Sequence, residues 1–194
     1  MMKETDLTIE QIETILVGTS RSVYDVRRNL VFPNVSWGFL NHEADLLVIT
    51  KARKLIEIEI KRTWADFMAD FKKDHTHYDR KLSYFYYAVP ESIGQRVFDW
   101  LYEGEYKADD YYDSSKVIGY TDHNPHKCGL IVYGDPRGNL YPKGYCQTVL
   151  SRQMNNYLVT TEDELRLLRL GNMRVWNMKK KLAEYQAEPS MFKL

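Results

Sequence analysis

Two short segments constrain this chain more than any other feature: EADLLVIT over residues 43–50 and KLIEIEIK over residues 54–61, joined by Lys51-Ala52-Arg53. In the second segment Ile56, Ile58 and Ile60 alternate with Glu57, Glu59 and Lys61. A period of two belongs to a β-strand, whose successive side chains leave opposite faces. One face therefore carries three isoleucines, and the other carries two carboxylates and an ammonium. The three-residue link predicts a hairpin. A hairpin with one oily face must bury it, so other elements have to pack there.

The rest of the chain supplies them. Thr8 and Gln11 form a T-x-x-Q capping box ahead of Ile9, Ile12, Ile15 and Leu16, predicting a helix from Thr8 to Val17. Residues 31–33 and 35–40 read as extended, with Pro33 and Asn34 marking an edge or turn. Thr63 caps a predicted helix reaching Lys73, with Trp64, Phe67, Met68 and Phe71 as its apolar stripe and Asp66 and Asp70 facing outward. LSYFYYAV over 82–89 reads as a buried strand, and Pro90-Glu91 opens a helix. GLIVY over 129–133 is a strand turning at Gly134–Asn139 into Leu140–Pro142. Thr161-x-x-Glu164 predicts a second capping box for a long helix to Glu184, with Leu165, Leu168, Val175 and Met178 on one side. This order predicts an α/β fold, a central mixed β-sheet flanked by helices. The predicted domain covers residues 1–150, with 103–127 as an insertion or loop. Residues 151–194 are expected to be a helical extension packed on the same domain.

Charge narrows the function. Twenty-seven Lys/Arg balance twenty-seven Asp/Glu, so the chain is no simple polycation. Residues 51–81 nevertheless hold nine bases against six acids, a net of +3, and residues 91–122 hold eight acids against three bases, a net of −5. One basic region on a neutral protein suits a polyanion bound to one face, and two solvated surfaces of unlike sign fit the same numbers. Two cysteines, no apolar leader and no membrane-length apolar run predict a soluble, cytoplasmic protein with no membrane partner.

An acid-x-acid-x-Lys strand is commonly just a solvated face. Here an acid-bearing strand precedes it through a tight turn and a capped helix follows at once. Asp45 and Glu59 on neighbouring strands have the oxygen donors that Mg²⁺ takes from proteins. Lys61, on the face of Glu59, is placed to position or help deprotonate a water and to stabilise charge developing on phosphorus. Glu57 shares that face, as an accessory acid or an exposed rim residue.

The strand-turn-strand HEADLLVIT…KLIEIEIK resembles the PD-(D/E)XK nuclease core, a restriction-endonuclease-like fold. The continuation KRTWADFMADFKKDH, LSYFYYAVP and CGLIVYGDPRGNL is similar to the MmcB-like DNA-repair family of that superfamily. The resemblance covers Asn41 to Leu140. It implies a phosphodiester hydrolase acting on DNA with Mg²⁺ or Mn²⁺, in DNA repair or in phage or mobile-element biology. By the same resemblance Asp45, Glu59 and Lys61 are catalytic. Asp45, Glu59 and the backbone carbonyl of Ile60 are the metal ligands. Arg53, Lys54, Lys72 and Lys73 are expected to contact DNA phosphates. RNA stays open as substrate, a homodimer as assembly, and a non-cleaving nucleic-acid-binding module as the alternative function. Glu57 departs from the family pattern, which has an apolar residue there. His123, His126, Cys128 and Cys146 lack the spacing of a zinc finger or ribbon, and His75 and His77 read as surface residues or DNA-backbone contacts, not as ligands.

Overall fold

The computed structural model describes residues 5–18, 23–36, 38–72, 77–104, 117–134 and 145–187. Helix α1 (Ile9–Val17) begins at the expected box: Gln11 N–H donates to Thr8 Oγ1 at 3.3 Å and Thr8 N–H donates to Gln11 Oε1 at 2.8 Å. Strand β1 (Leu30–Val35) contains Pro33, tolerated because β1 lies at the sheet edge. Strands β2 (Ala44–Ile49) and β3 (Leu55–Ile60) form the predicted antiparallel hairpin, with Leu46 opposite Ile58 and Val48 opposite Ile56. Its turn closes through Arg53 N–H donating to Thr50 C=O at 2.8 Å, with Arg53 at φ 58°.

Helix α2 (Trp64–Asp70) is capped by Thr63, whose hydroxyl accepts from Asp66 N–H at 3.0 Å, and it ends short of the expected Lys73. Strand β4 (Leu82–Pro90) runs parallel to β3, and helix α3 (Glu91–Leu101) follows directly. The segment read as an insertion carries structure of its own. Strands β5 (Tyr102–Gly104) and β6 (Val117–Tyr120) pair antiparallel as a separate two-stranded sheet. Strand β7 (Gly129–Gly134) is parallel to β4, and β8 (Tyr145–Val149) returns antiparallel to it. The turn and the short strand expected at 134–142 fall on residues 135–142, outside the described ones. Gly129 is required: a Cβ there would lie 2.3 Å from the Tyr86 ring and 2.7 Å from the Val149 carbonyl.

The main sheet has the order β1-β2-β3-β4-β7-β8. On one face Ile56, Ile58 and Ile60 pack with Ile12, Ile15 and Leu16 of α1. On the other, Phe67 of α2 and Ile93, Val97, Phe98 and Leu101 of α3 cover Phe85, Tyr87, Val89, Leu130 and Val132. Both faces of the sheet are thus buried. This overturns the idea that Glu57 and its neighbours line an open surface: Glu57 is 0% exposed, Glu59 7% and Lys61 3%.

The chain divides into two compact units, Met1–Leu158 and Val159–Leu194. The second holds helix α4 (Thr161–Ala187). Its capping box lies one residue earlier than predicted. Asp163 N–H donates to Thr160 Oγ1 at 3.1 Å, and Asp163 Oδ2 accepts from Thr160 N–H at 3.4 Å. Leu165, Leu168, Val175 and Met178, expected as a packing stripe, are exposed. No helix among the described residues is long and apolar enough to cross a membrane.

Candidate active site

Asp45 lies next to Leu46 in β2. Since Leu46 faces with Ile58, alternation puts Asp45 on the face of Glu57 and Glu59. Its Oδ2 accepts from Ile60 N–H at 2.7 Å, which ties the acid to the strand bearing Glu59. Burial raises the Asp45 pKa; the Ile60 N–H and Lys61 pull it down, and Asp66 and Glu57 push it up. Glu59 is raised as well, by burial first and then by the charge of Asp45, against the pull of Lys61. Glu59 Oε1 accepts from Lys61 Nζ at 2.8 Å. Its Oε2 is buried and meets no hydrogen-bond donor among the described residues.

Lys61 also donates to Asp70 Oδ1 at 3.0 Å. Burial alone would lower an ammonium pKa, but Glu59 and Asp70 outweigh it and the Lys61 pKa is raised. Asp70, expected to face outward, is 5% exposed. It accepts from the Tyr87 hydroxyl at 3.0 Å and from His77 Nε2 at 2.7 Å. The signal was present in the sequence. Asp70 stands three residues after Phe67, and on a helix that spacing shares a face.

His77 is the hub. Its Nδ1 donates to Glu57 Oε1 at 2.8 Å and its Nε2 to Asp70, so both ring nitrogens carry protons. Burial works against that charge, yet the hydrogen bonds from Asp70 and Glu57 prevail and raise the pKa from 6.5 to about 10. The ring stacks on Phe85, with centroids 4.7 Å apart. Glu57 Oε2 meets His42 Nε2 at 2.7 Å. Glu57 is therefore an anchor for two histidines, not a rim residue. His42 had no role in the sequence reading, and no local pattern singles it out. Glu13 of α1 was missed as well: burial first, then Glu10 and Asp45, raise its pKa, so it lies within electrostatic reach of Asp45.

The expected phosphate contacts separate. Arg53 and Lys54 are half-buried in the β2–β3 turn, at the opposite end of β3 from Glu59 and Lys61. At ~3.3 Å per residue that strand sets them roughly 20 Å from the acids. Lys72 is exposed just past α2, two residues from Asp70, and Lys73 lies outside the described residues. His75 and the Cys146 side chain lie outside them too. His123 stacks on Trp100 and His126 on Tyr78. Among the described residues they form no metal-ligating group with Cys128.

The pairing of Asp45 and Glu59 fits a hard divalent cation. Two carboxylates crowd together, Lys61 acts on both and His77 on Glu59, yet burial raises each, and one buried oxygen has no donor among the described residues.

No protein-family description matches the chain. No curated protein matches it either. Among solved structures, a protein of unknown function from Silicibacter pomeroyi is similar over 96% of this chain and 99% of its own, with a TM-score of 0.52 and 12% identity. That likeness concerns the fold. The core is α/β, a six-stranded mixed sheet flanked by helices, an arrangement consistent with a restriction-endonuclease-like core.

Proposed function

We propose that the chain is a divalent-metal-dependent nuclease that hydrolyses phosphodiester bonds in DNA. The observation that carries this reading is the buried Glu59 Oε2 beside Asp45, which meets no donor among the described residues. Asp45, Glu59 and the Ile60 carbonyl would hold Mg²⁺ or Mn²⁺. Such an ion polarises a phosphoryl oxygen and lowers the pKa of a bound water. The chain's own groups do the rest. Ile60 N–H fixes one Asp45 oxygen, and Lys61 fixes one Glu59 oxygen, so each carboxylate has its other oxygen to offer. Lys61 is kept protonated by its two acids, so it serves as a fixed positive charge for a developing phosphorane and not as the base. Of the expected phosphate contacts among the described residues, Lys72 is the exposed one, two residues beyond Asp70, and would meet a phosphate there.

The test is incubation with labelled single-stranded, duplex and branched DNA in Mg²⁺, Mn²⁺ or EDTA. Metal-dependent products support the reading, and their absence across all substrates overturns it. One observation favours a second reading, a nucleic-acid-binding module that does not cut. Lys61 is 3% exposed, with its ammonium already held by Glu59 and Asp70. Binding without cleavage in the same assay would select it.

A further inference from the structure

We propose that His42, Glu57 and His77 form a second metal site, distinct from the Asp45–Glu59 pair and selective for a Zn²⁺-like transition-metal dication. One ligand atom from each lies within 4.8 Å of the others. Two imidazoles and one carboxylate are the donors that Zn²⁺, Co²⁺ and Ni²⁺ accept and Mg²⁺ does not prefer.

Three features set this cluster apart from an ordinary buried ion pair. The first is what lies behind each ligand. His77 presents Nδ1 to Glu57 and donates its other ring N–H to Asp70 at 2.7 Å. His42 presents Nε2 to Glu57, and its Nδ1 meets Asn41 Oδ1 at 2.6 Å. Asn41 is itself fixed, since its Nδ2 donates to the Tyr78 carbonyl at 3.0 Å, which leaves the oxygen for His42. An outer oxygen on the far nitrogen of each histidine is the arrangement that orients metal-bound imidazoles. The second feature is convergence. His77 Nδ1 lies 2.8 Å from Glu57 Oε1 and His42 Nε2 lies 2.7 Å from Glu57 Oε2, so both imidazoles meet on one fully buried carboxylate. The third is placement. The ligands come from the segment before β2, from the middle of β3 and from the segment before β4, so one ion would cross-link three parts of the fold. Beside His77 is a cavity of about 150 Å³ that Asp70, Phe85 and Tyr87 also line.

The second candidate trio, Glu59, Asp70 and His77, carries no such inference, because the Lys61 ammonium already bridges its two acids.

The experiment uses the full chain, stripped with chelator and titrated with Co²⁺ and Zn²⁺. Readouts are the visible Co²⁺ spectrum, stoichiometry and calorimetric proton release. The expected result is one Co²⁺ with a nitrogen-and-oxygen spectrum, displaced by Zn²⁺, not displaced by millimolar Mg²⁺, and releasing up to two protons. His42→Ala should abolish uptake. Asn41→Ala, which leaves all three ligands, should weaken it by about 10-fold or more. Asp45→Asn should leave uptake intact, so this site and the proposed nuclease site can fail independently. If a ligand variant misfolds, X-ray absorption of the wild-type Co²⁺ form decides, with two imidazoles expected. No uptake, uptake unchanged in both His42→Ala and Asn41→Ala, or a shell without two imidazoles would overturn the proposal.

Discussion

Replacing Asp70 with Asn keeps the size of the side chain and removes one buried charge. The carboxylate it replaces accepts from Lys61 at 3.0 Å, His77 at 2.7 Å and the Tyr87 hydroxyl at 3.0 Å. The rise of the His77 pKa from 6.5 to about 10 corresponds to on the order of 5 kcal/mol of stabilisation of the imidazolium. Asp70 and Glu57 share the two hydrogen bonds behind that rise, so losing Asp70 forfeits roughly half of it. Lys61 loses one of its two carboxylates in the same step. An expected loss of about 3 kcal/mol follows, at the lower edge of what breaking a buried ion pair costs. The assay is urea unfolding at pH 7 in chelator, followed by tryptophan fluorescence. The pH dependence has a definite sign. A histidine raised in the folded state contributes fully below its unfolded value of 6.5, and the contribution fades as pH climbs toward about 10. Wild type should therefore lose stability over that window, while Asp70→Asn loses less, and the gap between them narrows. A loss below about 1 kcal/mol at pH 7, or a gap that stays constant to pH 10, would refute the electrostatic account of this network.

Asp45→Asn should abolish metal-dependent cleavage, leave DNA binding equal or tighter in a mobility shift, and raise stability in chelator by relieving the repulsion with Glu59; retained cleavage would show that Asp45 is no ligand. Lys61→Ala should slow single-turnover cleavage by about 10²-fold, the scale of one lost transition-state contact, and an unchanged rate would remove it from the site. Lys72→Ala should lower the log–log salt slope of DNA binding by about one unit while Lys54→Ala leaves it alone, and the reverse pattern would move the nucleic acid to the hairpin-turn end of β3. Gly129→Ala should cost about 1–3 kcal/mol in the same urea assay, because the new methyl meets the Tyr86 ring and a backbone carbonyl, and a neutral result would contradict the β4–β7 packing.

The framework was legible because it rests on local signals. Alternation at Ile56, Ile58 and Ile60 gave β3, the T-x-x-Q box gave α1, and Pro33 gave the edge. That Asp45 and Glu59 share one face of the sheet followed from strand parity alone. What failed did so for one physical reason. A period-two pattern says that two faces differ, and it cannot say that the polar one is covered. Glu57 alternates like a solvated residue and is fully buried, because helices and His77 close over it. Asp70 was assigned to solvent on charge although its spacing from Phe67 put it inside. His42 went unremarked and His77 was read as a surface or DNA-backbone contact, although its side chain is only 13% exposed, because their shared partner Glu57 lies 15 and 20 residues away.

The burial of that polar face also sharpens the functional reading, because its charge is unevenly matched. Glu57 meets two histidines, and Asp70 meets Lys61 and His77. Asp45 and Glu59 both feel Lys61, and Glu59 feels His77 as well, yet burial leaves each with a raised pKa. The uncompensated cost of burying a carboxylate thus falls on this pair. A fold that only bound nucleic acid would gain by an amide at Asp45, since the Ile60 N–H would keep its acceptor and the repulsion would vanish. Keeping both acids costs stability in the absence of a cation and is offset when one binds. The Asp45→Asn variant separates these accounts within one measurement. A variant more stable than wild type in chelator, but not in Mg²⁺, places the cation demand at this pair. Equal stability in both conditions would mean that the two acids are neutralised by the chain itself, and that the binding-module reading is the better one.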